Sequence, residues 1–152
     1  MRRCISLFLL AALLLTTFSI HGFASEIMEE HVVERFEDGS YMTEWITVSQ
    51  TRASGTKTGT KDKVYYNENG EAEWKVAISG TFSYTGSSAT CTSASSSVTI
   101  YNSDWYTISK SASKSGNTAT ANVTMGEKLL GVKVDEVSTS VSLKCDANGN
   151  LS

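Results

Sequence analysis

The sequence predicts an all-β protein, an antiparallel β-sandwich of about seven or eight strands after a cleaved signal peptide. Three observations carry this reading. Apolar and polar residues alternate with period two through most of the chain beyond residue 39. Turn-forming pairs such as Asp38-Gly39 and Asn69-Gly70 interrupt the alternation at short intervals. The first two dozen residues have the layout of an export signal.

That signal comes first in the chain. Arg2 and Arg3 give a positive start, residues 5–18 form an uncharged apolar run, and Gly22-Phe23-Ala24 places small residues at its first and third positions. This order is read by the secretion machinery, with cleavage expected after Ala24. The apolar run is shorter than the roughly 20 residues a membrane-spanning helix needs. The rest of a twin-arginine motif is missing, and no Cys follows the run to take a lipid anchor. The chain therefore divides into a signal peptide over 1–24, an acidic arm over 25–38 and one sandwich domain over 39–152. The expected location is secreted and extracellular, with no stable membrane insertion.

The arm reads as an edge strand or a mobile segment. Glu37-Asp38-Gly39-Ser40 turns it into an alternating run over 41–48. A strand over 57–67 ends at Asn67-Glu68-Asn69-Gly70, where both residues of Asn-Gly tolerate positive φ, and pairs with a strand over 71–85. In that second strand Trp74, Val76, Ile78, Gly80, Phe82 and Tyr84 share one face and small polar residues the other, so one side covers the core. Gly80 predicts a bend or bulge in so long a strand. Strands over 88–101, from Trp105, and through Ala119, Ala121, Val123 and Met125 follow, separated by Asn102-Ser103-Asp104 and Lys114-Ser115-Gly116-Asn117. The last strand lines up Val137, Thr139, Val141, Leu143 and Cys145 on one face.

Composition sets the limits. Beyond residue 24, Leu, Ile, Val and Phe number only 22, which predicts a thin core supplemented by three Trp and six Tyr. Ser and Thr total 37 over the same stretch and fall mainly on outward strand faces, a polar sheet surface. The arm carries a charge of −5, and from Gly39 onward ten acids balance ten bases. A nucleic-acid partner needs a basic face, and none is present.

Cys91 and Cys145 remain after cleavage removes Cys4. An even count in an oxidising compartment predicts one disulfide. It would close a loop of about 55 residues and add roughly 4 kcal/mol by chain entropy.

The segments 52–59, 80–91, 101–105, 110–121 and 145–152, among them Tyr101-Asn102-Ser103-Asp104-Trp105 and Cys145-Asp146-Ala147-Asn148-Gly149-Asn150-Leu151-Ser152, together resemble a group of small uncharacterised secreted β-rich proteins of Gram-positive bacteria. The resemblance covers the chain from about Arg52 onward. It implies export and a compact β domain, and brings no activity and no site residues. In size and composition the chain also resembles small secreted β-sandwich bacteriocins.

Catalytic chemistry has little to draw on. His31, in the arm, is the one histidine beyond the signal peptide, so no Ser-His-Asp or Cys-His constellation is expected on the domain. One His and two cysteines destined for a bridge make no zinc site. No calcium loop and no phosphate-cradling glycine loop is found. Glu71 with Glu73 sits at an expected solvated strand end, and Asp135-Glu136 at a bulge or turn. No catalytic residue, metal or cofactor is expected. Adjacent aromatics are the candidate ligand-binding groups: of Tyr65-Tyr66 and Trp105-Tyr106 one ring each should face out, which nominates Tyr66, Trp105 and Tyr106. The expected function is a secreted non-catalytic binding domain for an extracellular glycan or protein. The alternative is a bacteriocin-like or membrane-acting toxin whose strands rearrange into a lipid-facing barrel.

Overall fold

The computed structural model describes residues 25–49 and 55–152, and every structural statement below concerns these residues. The signal-peptide reading of 1–24 lies outside them.

Nine strands form two antiparallel sheets. They are β1 (Ser25–Ile27), β2 (His31–Arg35), β3 (Tyr41–Ser49), β4 (Thr56–Tyr66), β5 (Ala72–Tyr84), β6 (Ala89–Ile100), β7 (Trp105–Ser115), β8 (Thr118–Leu129) and β9 (Val132–Lys144). One sheet runs β3-β4-β5-β6, with β1 and β2 both paired along the free edge of β3, and the other is β7-β8-β9. The seven strands β3 to β9 are the body, and the acidic arm supplies the edge.

The alternation of the sequence is the alternation of burial. Trp74, Val76, Ile78 and Phe82 of β5 meet Ala119, Ala121, Val123 and Met125 of β8 and Val141 and Leu143 of β9, all buried. Small residues on β8 receive the large rings opposite, and a Cβ added at Gly80 would lie 2.7 Å from the Phe82 ring and 3.2 Å from Ala119 Cβ. The bulge expected in β5 near Gly80 lies instead on the partner strand, where Thr92 of β6 is the extra residue opposite the step from Thr81 to Phe82. The hydroxyl-rich outward faces are cross-linked in register: Thr58 to Thr81 at 3.2 Å, Thr60 to Ser79 at 2.8 Å, Thr120 to Ser142 at 2.9 Å and Thr124 to Ser138 at 3.0 Å. Such cross-strand pairs are the unit of sheet stabilisation.

The sequence pattern missed a charged layer between the sheets. Glu44 shares the inward face of β3 with Met42 and Ile46, and it pairs with Lys61 at 3.1 Å and Lys63 at 2.9 Å on β4. Lys63 also donates to Thr139 Oγ1 at 3.3 Å and the Ser140 carbonyl at 3.0 Å, tying β4 to β9 of the opposite sheet.

The cysteines differ from expectation. Cys91 and Cys145 are free, buried thiols. Their Sγ atoms donate to the carbonyls of Ser93 at 3.2 Å and Asp146 at 3.5 Å. Burial raises both thiol pKa values.

Candidate functional site

In an antiparallel sandwich alternate connections return to the same end. The turn after β2, the 67–71 turn, the 101–104 connection and the β8–β9 hairpin therefore gather at one end, and they carry Glu37, Asp38, Glu68, Glu71, Asp104, Glu127, Asp135 and Glu136. A cleft of about 270 Å³ opens there, lined by Asp38, Ser40, Tyr65, Asn67, Glu68, Glu73, Trp105, Glu127 and Asp135. A second lobe of about 230 Å³ shares Asp38, Ser40, Tyr65 and Asp135 and continues to Glu136 and Val137.

The aromatic wall comes from period two. Tyr65 faces inward on β4 and stacks on Trp74 at 5.2 Å and 16°, while its edge meets Trp105 at 5.3 Å and Phe36 at 5.7 Å. Burial raises the Tyr65 phenol pKa; a hydrogen bond with Ser40 opposes this, and Asp38, Asp135 and Glu127 add to it. Asp38 is held in place by Ser40, whose hydroxyl donates to Oδ1 at 2.6 Å and whose amide does so at 3.0 Å. These bonds lower the Asp38 pKa.

Glu73 corrects the expectation of a solvated strand end. It is buried, because the register shift between Tyr65 and Tyr66 makes it the extra residue of a bulge and breaks the alternation that would turn it outward. Its Oε1 accepts from Asn67 Nδ2 at 2.7 Å and its Oε2 from Asn102 Nδ2 at 2.6 Å, so it braces two of the turns that frame the cleft. Asp135 and Glu136 lie within β9 rather than in a turn. Asp135 pairs with Glu127 beside a bulge, and the hairpin turns at Leu130-Gly131. Burial raises the Glu127 pKa, and Asp135, Glu73 and Asp104 push it further in the same direction.

Of the three nominated aromatics, Trp105 lines the cleft, as the buried inward ring of its pair. Tyr66 sits on the outer sheet face, stacked on Tyr41 at 5.0 Å, with its hydroxyl donating to Glu30 Oε1 at 3.4 Å. Tyr106 faces outward over Gly126, where a Cβ would come within 2.7 Å of the ring, and Lys128 Nζ stands 5.9 Å above it. Sequence reasoning missed Tyr65, Asp38, Glu68 and Glu127, and set Glu73 and Asp135 aside as a solvated strand end and a bulge or turn. The parity of the connections was the signal that could have found them. No group of three or more potential metal ligands is assembled among the described residues.

No family model matches the chain, and no curated protein or solved structure matches it.

Proposed function

We propose that this chain is exported and acts as a non-catalytic binding domain at or outside the cell envelope, with a glycan or a protein as its partner. The observation that carries this reading is the two-lobed cleft at the acidic end, walled by Tyr65 and Trp105 and framed by four connections that a rigid sandwich holds in place. Binding sites concentrate on connections positioned by such a scaffold. The carboxylate most deeply set in the cleft, Glu73, has both oxygens engaged by asparagine amides, a bracing role rather than that of an acid or base poised for reaction. A glycan array together with a pull-down from envelope and extracellular fractions tests the proposal. A partner whose binding falls on Trp105→Ala, with the fold retained, supports it. Absence of any ligand in both screens overturns it.

Export also brings the two thiols into an oxidising compartment. The Cys91 amide donates to the Gly116 carbonyl and the Cys145 amide to the Asn117 carbonyl, so both cysteines border one turn. We propose that exchange with an oxidised thiol carrier removes their two hydrogens and joins them. Intact mass of secreted protein, starting near Ser25 and two hydrogens lighter before reduction than after, is the expected result. Free thiols on secreted protein would refute the bridge.

A second reading, a membrane-acting toxin, draws on one observation: the β8–β9 tip exposes Leu129, Leu130, Val132 and Val134. Dye release from liposomes is its test, and intact liposomes would exclude it.

A further inference from the structure

We propose that the acidic end of the sandwich, cleft and hairpin tip together, is a docking surface for a cationic amphipathic peptide segment. This rests on the binding-domain reading above and names the chemistry of its partner. The basic side chains of the segment enter the cleft and its apolar side chains cover the tip of the β8–β9 hairpin.

The first argument is charge. Where a carboxylate is buried elsewhere in the sandwich, the fold provides a lysine: Glu44 has Lys61 and Lys63, and Asp62 has Lys75 at 2.9 Å. Among the described residues no ion pair reaches Asp38, Glu68, Glu73, Glu127 or Asp135. The two lysines of the hairpin are engaged, Lys128 over the Tyr106 ring and Lys133 with Glu136. The cleft thus holds five carboxylates, none in an ion pair, beside the rings of Tyr65 and Trp105, and the lysine at its rim, Lys133, is paired with Glu136. A cluster of carboxylates without counter-charge attracts a lysine or arginine head by Coulomb attraction and charge-assisted hydrogen bonds.

The second argument is independent and concerns apolar surface. Glu127 and Asp135 face each other at the base of the β8–β9 hairpin, and beyond them Leu129, Leu130, Val132 and Val134 are exposed, interleaved with Lys128 and Lys133. Leu130, at the turn, is 98% exposed and stands at φ 52°, the single non-glycine in a left-handed conformation among the described residues. A two-residue hairpin turn favours Asn or Gly there. Leucine at that position carries strain and gains no burial within the chain, so its side chain is open to an external contact.

Taken together the two features select the partner. A neutral glycan leaves the carboxylates uncompensated. Nucleic acid and anionic lipid headgroups are repelled by them. A small organic cation fills the cleft and leaves the tip bare. A segment with basic and apolar side chains satisfies both.

The experiment uses the full secreted chain and a labelled synthetic helix of lysine and leucine on opposite faces. Matched peptides carry glutamate in place of lysine, or serine in place of leucine, and anionic phosphatidylglycerol vesicles are titrated in parallel. The expected result is saturable binding of the Lys/Leu peptide that weakens with salt and shifts tryptophan emission. It is at least about tenfold weaker for Glu127→Gln/Asp135→Asn and for Leu130→Asn, and unchanged for Glu34→Gln in the arm. Equal binding of the glutamate or serine peptide, full binding by the cleft or tip variants, or a preference for vesicles overturns the proposal. A glycan or other protein ligand found where this peptide does not bind refutes the inference and leaves the binding-domain reading standing. Melting of the variants at or above that of the unsubstituted protein keeps a loss of binding from being a loss of fold.

Discussion

Glu44 and Glu127 both set a carboxylate against the interior of the same sandwich, and the fold treats them in opposite ways. Glu44 is met by two lysines, one of which reaches across to β9. Burial works to raise its pKa, and Lys63 and Lys61 outweigh that and lower it. Glu127 has burial and three neighbouring acids, Asp135, Glu73 and Asp104, all acting to raise its pKa. The first carboxylate is a structural part, complete within the chain. The second is left in electrostatic debt. A scaffold able to neutralise a buried acid does so where the two sheets must be joined, and does not do so at the end where the connections open.

Three substitutions test that contrast. The largest effect is expected from Glu44→Ala, which leaves Lys61 and Lys63 largely buried with no carboxylate between them. Urea denaturation at neutral pH should show a loss of about 1.5–3 kcal/mol, the range for hydrogen bonds to charged groups. A loss within error of zero would mean that the network contributes nothing net. Next comes Leu130→Gly, which removes the left-handed strain and should raise stability by up to about 1 kcal/mol. Substitution to a residue native to the turn would thus stabilise the fold while weakening the docking proposed above; a destabilised variant would show that Leu130 serves the fold instead. The smallest effect is Glu127→Gln, a gain within about 0.5 kcal/mol at neutral pH. A loss of stability would show that its charge is compensated after all.

Acid sharpens the comparison, because the two shifts have opposite signs. A carboxyl lowered in the folded state adds stability above its unfolded value that is lost as pH falls through the folded one, so the deficit of Glu44→Ala should shrink as pH drops below the ordinary carboxylate range near 4.5. A carboxyl raised in the folded state favours folding below its unfolded value and loses that contribution as pH rises through the folded one. The advantage of Glu127→Gln should therefore be complete at neutral pH and vanish below the same range. Melting curves of both variants across that interval should converge on the unsubstituted protein from opposite sides. Parallel curves would refute the assignment.

Much of the fold was legible in the chain. The run from Trp74 to Tyr84 buries the face its alternation predicts, and from β4 to the start of β8 the strands begin and end within a few residues of their turn signals. Asn69-Gly70 marks the expected hairpin, with Gly70 at φ 79°. The candidate site was legible only in Trp105. Alternation assigned Glu73 to the solvent face, and a single extra residue in the bulge reversed it. Asp135-Glu136 carried the look of a bulge or turn; a bulge does lie beside Asp135, while the turn itself fell at Leu130-Gly131, where a leucine hid it.

The sequence by itself determined what depends on neighbours along the chain: strand positions, the inward face of each, and the turns that glycine and asparagine permit. Those follow from backbone sterics and from the period of two, which a one-dimensional pattern records except where a bulge breaks it, as at Glu73. The tertiary structure alone decided which distant residues meet. It put Glu44 beside Lys61 and Lys63, and it brought Asp38, Glu68, Glu127 and Asp135 around Tyr65 and Trp105 with no ion pair to any of them among the described residues. Strand pairing and sheet stacking join residues far apart in the chain, so the balance of charge at either place exists only once the two sheets have closed.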